Sequence, residues 1–158
     1  MFCKNSVKWL YRLDKNFCWE STLNIAEDHA FKDTTGTVRL ILERGGRITV
    51  TRGYAWNGCS PKFCVFDFLF GTPDGVVSAA TGRPKTYHAS LVHDALYQFM
   101  PDGLPLSRHE ADRCFLRLMD ETGFLPRYLY FAVVRVFGGL VRRAERHARE
   151  TVGSAVPL

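Results

Sequence analysis

Polar and apolar residues alternate over Ser6 to Leu13, setting Val7, Trp9, Tyr11 and Leu13 on one face. This is the period of two of a half-buried strand. Two β-branched runs follow, Val38 to Glu43 and Arg47 to Arg52, separated by Arg44-Gly45-Gly46. A Gly-Gly pair reaches the positive φ that a tight hairpin turn requires, so the runs read as hairpin strands of a small antiparallel sheet. From Thr86 the period becomes helical, with Ala89, Val92, Ala95, Leu96 and Phe99 on one buried face, and Met100-Pro101-Asp102-Gly103 ends that helix. Ser107-Arg108-His109-Glu110 fits the Ser-x-x-Glu capping box. It opens a second predicted helix to about Thr122, with Ala111, Cys114, Phe115, Leu118 and Met119 inward and Gly123 as its stop. A third helix is expected from Pro126, with a break at Gly138-Gly139 before an arginine-rich end.

Between these halves, residues 53–85 carry Gly53, Gly58, Pro61, Gly71, Pro73, Gly75, Gly82 and Pro84, interleaved with Tyr54, Trp56, Phe63, Phe66, Phe68 and Phe70. A loop this long in a compact domain is more often functional than connective. The expected fold class is α+β in a single domain over 1–158: a small N-terminal antiparallel β-sheet in 1–52, a long Gly/Pro/aromatic loop in 53–85, and three C-terminal helices in 86–152.

Composition narrows the setting. With 158 residues, 46% hydrophobic and 13% aromatic, the chain suits one packed core and not a disordered polymer. No apolar run reaches the roughly 18 residues of a membrane span. Five cysteines at irregular spacing, without a visible export signal, read as reduced thiols in a cytoplasmic compartment. Lys and Arg number 21 against 16 Asp and Glu, a net charge of +5 with its excess at the C-terminus, which favours an anionic partner.

The densest chemistry is His93-Asp94 on the first predicted helix and Asp112 on the second. Neighbouring residues on a helix diverge by about 100°, so His93 and Asp94 face different directions. His93 and Asp112 both border apolar faces, so packing of the two helices would bring them together. A carboxylate there holds an imidazole in one tautomer and raises its basicity, as in hydrolases. The same pair could equally tie two helices together and do nothing else. Zinc is the other possibility weighed, with Cys59, Cys64, His88, His93 and Cys114 as donors, but Cys59-x4-Cys64 lacks the short paired spacing of structural zinc sites. Ser60, Ser90 and Cys59 are conceivable nucleophiles without a Gly-x-Ser-x-Gly elbow.

His93-Asp94-Ala95-Leu96-Tyr97 followed by Ala111-Asp112-Arg113-Cys114-Phe115 resembles the active-site helix pair of phospholipase A2, and Trp56-Asn57-Gly58-Cys59-Ser60-Pro61 resembles the loop that precedes it in the bacterial and fungal branch. The resemblance implies His93 as the base that activates water, Asp112 as its orienter and Tyr97 as a brace. It also implies a calcium ion held by Asp94, Asn57 and the Gly58 carbonyl; Asn57 stands where that family has a carboxylate. A second resemblance covers more of the chain. Gly53 to Pro61, Leu91 to Tyr97, Ser107-Arg108 with Ala111-Asp112-Arg113, and Ala132 to Gly138 are similar in order and composition to small phage and prophage proteins classed as domain-of-unknown-function family 1353. That resemblance implies a phage or mobile-element setting and no established reaction.

Tyr128 to Val141 is apolar except for Arg135, and Arg142, Arg143, Arg146 and Arg149 follow. Such a segment suits an anionic membrane surface, or is a core helix ending in a solvated charged tail. No nucleic-acid-binding motif accompanies the arginines. The expected function is a phospholipase A2-like ester hydrolase. Its alternative is a non-enzymatic phage accessory protein with a structural His–Asp pair and a protein partner.

Overall fold

The computed structural model describes residues 11–58 and 77–136, and between them the backbone of two strands, 62–65 and 68–71. Among the described residues, eight strands come first: β1 (Tyr11–Arg12), β2 (Phe17–Glu20), β3 (His29–Lys32), β4 (Val38–Leu42), β5 (Arg47–Val50), β6 (Ala55–Trp56), β7 (Lys62–Val65) and β8 (Phe68–Gly71). Helices α1 (Tyr87–Phe99) and α2 (Arg108–Glu121) follow, joined through a 3-10 turn at Met100–Asp102, and residues 127–136 form α3. The α+β class and its order, strands then three helices, are as the pattern predicts.

The main sheet is antiparallel in the order β2-β5-β4-β3. Its β4–β5 hairpin pairs Leu40 with Val50 and Leu42 with Ile48, which puts all four side chains on one buried face. The turn is the expected one, with Gly45 and Gly46 at φ of 90° and 106°. A Cβ at Gly46 would also lie 2.5 Å from the Leu23 carbonyl oxygen, so both conformation and space require glycine there. Of the strand expected over Ser6 to Leu13, Tyr11–Arg12 is β1 and residues 6–10 lie outside the described residues.

Segment 53–85 is not one long loop. It contains β6, which pairs with β1, and the antiparallel hairpin β7–β8. Counting Gly and Pro over the whole stretch hides two short β-prone runs, Lys62–Val65 and Phe68–Gly71, only two residues apart. The two residues between them, Phe66-Asp67, are not the Asn-Gly or Asp-Gly type that marks a hairpin in a sequence. Cys59, Ser60 and Pro61 lie outside the described residues.

Helix α1 is the centre of the molecule. Leu91, Val92, Ala95 and Leu96 are all fully buried, because the sheet covers one side and α2 the other. Phe99 meets Phe31 of β3 at a ring distance of 5.7 Å. Trp56 of β6 is fully buried, donates from Nε1 to Ser90 Oγ at 3.2 Å, and packs edge-on against Tyr87.

Helix α2 opens with the predicted capping box. The Glu110 amide donates to Ser107 Oγ at 3.3 Å, and the Ser107 amide donates to Glu110 Oε2 at 2.7 Å. These two bonds satisfy amides that the first turn leaves without helical partners. Ser107→Ala is expected to cost about 1 kcal/mol, read as a lower urea midpoint at unchanged slope. At the other end, Gly123 takes a φ of 62° and ends the helix where the pattern places its stop. Among the described residues, no helix is long and apolar enough to cross a membrane.

Candidate functional site

Helices α1 and α2 run antiparallel, since Tyr97 meets Arg108 while His93, one turn earlier, meets Asp112 and Phe115. The 3-10 turn and Gly103, at a φ of 85°, reverse the chain between them. Each helix buries its apolar stripe on the other, and the polar residues bordering those stripes are brought to the seam.

Asp112 is the hub of that seam and has no solvent exposure. His93 Nε2 lies 3.0 Å from Asp112 Oδ1, and Tyr97 Oη donates to the same oxygen at 2.6 Å. A carboxylate only accepts, so the neutral His93 ring carries its proton on Nε2 and a lone pair on Nδ1. Arg135 Nη1 of α3 donates to Asp112 Oδ2 at 3.2 Å, and Arg108 Nε stands 3.7 Å from that oxygen. Arg108 Nε also donates to Tyr97 Oη at 2.7 Å, and its Nη2 donates to the Val134 and Arg135 carbonyls at 2.9 and 2.6 Å. Three helices therefore meet at one buried carboxylate.

These contacts set the charge states. Burial opposes ionisation of Asp112, but hydrogen bonds from His93, Tyr97 and Arg135 outweigh it and hold the carboxyl below its usual range. Burial likewise opposes a charged His93, yet the Asp112 and Asp94 carboxylates prevail and raise its pKa. Burial and the hydrogen bond to Asp112 push the Tyr97 hydroxyl up, so it remains protonated and able to donate.

The second ring nitrogen, Nδ1, is 3.9 Å from Asp94 Oδ1. That distance is too long for a direct hydrogen bond, though close enough for the charge to be felt. Asp94 is partly exposed and also stands near Tyr54, whose pKa rises through burial and then through the Asp94 charge. Trp56 is seated on Ser90, one turn before Asp94 on α1, and leads directly into Asn57, whose side-chain oxygen is buried, and Gly58, at a φ of 75°. Asp94, Asn57 and Gly58 offer only oxygen donors, the chemistry of a hard cation such as calcium and not of zinc. Among the described residues, no three His, Cys, Asp or Glu side chains gather as a metal site.

The sequence reading missed two residues of this cluster, Arg108 and Arg135. Each left a signal: Arg135 is the single charge in an apolar run, and Arg108 precedes Asp112 by one helical turn. Ser90 is committed to structure, accepting from Trp56 and donating to the Tyr87 carbonyl at 3.0 Å. His88 stacks on Phe17 with ring centroids 4.2 Å apart. Cys114 is buried, and burial pushes its thiol up to about 12, so it is inert at neutral pH. The arginines beyond residue 136 lie outside the described residues.

The fold and its hub define a class: an α+β domain whose helical hairpin carries a buried His–Asp–Tyr cluster. Residues 43–134 match the family described as Protein of unknown function (DUF1353), and the chain belongs to it. The match takes in β5, β6, β7, β8, α1, α2 and most of α3, and therefore all the residues of the cluster except Arg135. No curated protein and no solved structure matches the chain.

Proposed function

We propose that this protein is a phospholipase A2-like ester hydrolase, with His93 as general base, Asp112 as its orienter and Tyr97 as the brace of that pair. The observation that carries the reading is the 3.0 Å contact from His93 Nε2 to Asp112 Oδ1, shared with Tyr97, which leaves the Nδ1 lone pair on the Asp94 side. A water hydrogen-bonded to Nδ1 gives its proton to the ring as its oxygen attacks the ester carbonyl carbon. The tetrahedral species then expels the alkoxide, which takes the proton from Nδ1, so a carboxylic acid and an alcohol leave and His93 is restored. Asp112 stabilises the imidazolium that forms between these two steps. Asp94, Asn57 and Gly58 would hold calcium, whose chemistry there is polarisation of the ester carbonyl.

An anionic membrane surface is the proposed partner. In its support, Leu125, Tyr128, Leu129 and Val136 are each at least 60% exposed along one side of α3 and the turn before it, and the chain continues into Arg142, Arg143, Arg146 and Arg149. The phage or prophage setting and a cytoplasmic location rest on the sequence resemblance and the cysteine pattern. One observation favours the alternative, an accessory protein that binds another protein. Both Asp112 oxygens are engaged by protein groups, as in a purely structural clamp.

The test is fatty-acid release from anionic phospholipid vesicles with and without calcium, for the wild type and Asp94→Ala. The expected result is calcium-dependent release by the wild type and little by the variant. In parallel, saturable NMR shifts at Asn57, Gly58 and Asp94 are expected in the wild type alone. No release and no shifts up to millimolar calcium would overturn the hydrolase and leave the accessory protein.

A further inference from the structure

Helices α2 and α3 are joined by a reciprocal exchange of arginines. Arg108, in the first turn of α2, holds the Val134 and Arg135 carbonyls of α3, and Arg135 of α3 reaches back to Asp112 of α2. Beneath this clasp, Val134 and Tyr130 are buried, and Tyr130 packs edge-on against Phe124 at 4.9 Å.

We propose that Arg108 and Arg135 are positioning residues of the His93–Asp112 pair, so that docking of α3 is what aligns it. This deepens the hydrolase reading of the same site and, for its catalytic consequence, rests on it. A carboxylate turns about its Cβ–Cγ bond unless both oxygens are held. Arg135 anchors Oδ2, and that keeps Oδ1 facing His93 and Tyr97. The Tyr97 hydroxyl has a single proton. Because Arg108 Nε donates to its oxygen, that proton is directed at Asp112. Both ends of the Asp112 geometry are thus set from outside α1, one directly by α3 and the other by the residue that grips α3. The planar guanidinium serves Tyr97 from Nε and the two carbonyls from Nη2, two separate nitrogens in a fixed fork, whereas an ammonium has a single nitrogen.

The experiment compares Arg108→Gln, Arg135→Gln, Arg108→Lys and Arg135→Lys with the wild type. Two readouts are taken: the NMR signal of the His93 Nε2–H proton, and kcat against KM for vesicle hydrolysis. Both glutamine variants are expected to displace or broaden the ring signal. Both should lower kcat by about tenfold to a hundredfold, the usual consequence of small misplacement, with KM changed by less than about twofold. Arg135→Lys should restore most of the signal and rate, because a point charge suffices at Oδ2, whereas Arg108→Lys should not. Arg135 has a side chain 41% exposed, so its two variants decide the matter even where an Arg108 variant fails to fold. A lower denaturation midpoint with the ring signal and kcat unchanged would overturn the proposal. If the wild type hydrolyses nothing while the ring signal still responds as expected, the hydrolase falls and the alignment of the pair by α3 stands.

Discussion

Asp112→Ala is expected to lower the stability of the folded protein by about 3–5 kcal/mol. The carboxylate has no exposure and is engaged by His93, Tyr97 and Arg135, with Arg108 beside it. Removing it leaves the buried His93 Nε2–H and the Tyr97 hydroxyl without their acceptor and the guanidinium of Arg135 without its counter-charge, and breaking a buried charge cluster by deleting one partner is costly in just this way. Denaturant unfolding checks the value, and a loss under 1 kcal/mol would mean that the cluster is not held as described. The same contact makes stability pH-dependent. The Asp112 pKa is lowered on folding, so its contribution is present above the ordinary carboxyl value near 3.9 and is lost as pH falls through the folded value. Asp112→Asn should flatten that acid limb.

His93→Gln should reduce ester hydrolysis by roughly a hundredfold to ten-thousandfold, the range for loss of a positioned general base. Glutamine keeps a polar end that can donate to Asp112, so circular dichroism should remain that of the wild type. A variant with wild-type activity would remove His93 from the mechanism. The pH profile carries a second signature. The His93 pKa is raised on folding, so its stabilising contribution is complete below about 6.5 and is lost as pH rises through the folded value. A base must be neutral, so activity should rise over that same interval. Rate and stability are expected to move in opposite directions across it.

Much of the fold was legible because its signals are local. The Ser107–Glu110 capping box, the Gly45-Gly46 turn and the Gly123 stop each depend on a few consecutive residues, and each lies where the pattern puts it. The helical period of α1 and the apolar border of α2 were enough to place His93 opposite Asp112. The short strands were harder. Strands β2 and β3 are four residues each, His29–Lys32 mixes polar and apolar types, and their pairing with distant strands makes them strands. The hairpin within 62–71 was concealed by the Gly and Pro residues around it.

The sequence by itself determined the α+β order, the helix ends and the pairing of a histidine with an aspartate across two helices, because periodicity and capping are properties of contiguous residues. The tertiary structure decided what the aspartate would be. Only packing of α3 against α2 brings Arg135, 23 positions away, onto Oδ2, and only the bond from Arg108 turns the Tyr97 proton toward Oδ1. Burial then fixes the charges, since removing Asp112 from water requires partners that no local pattern can supply.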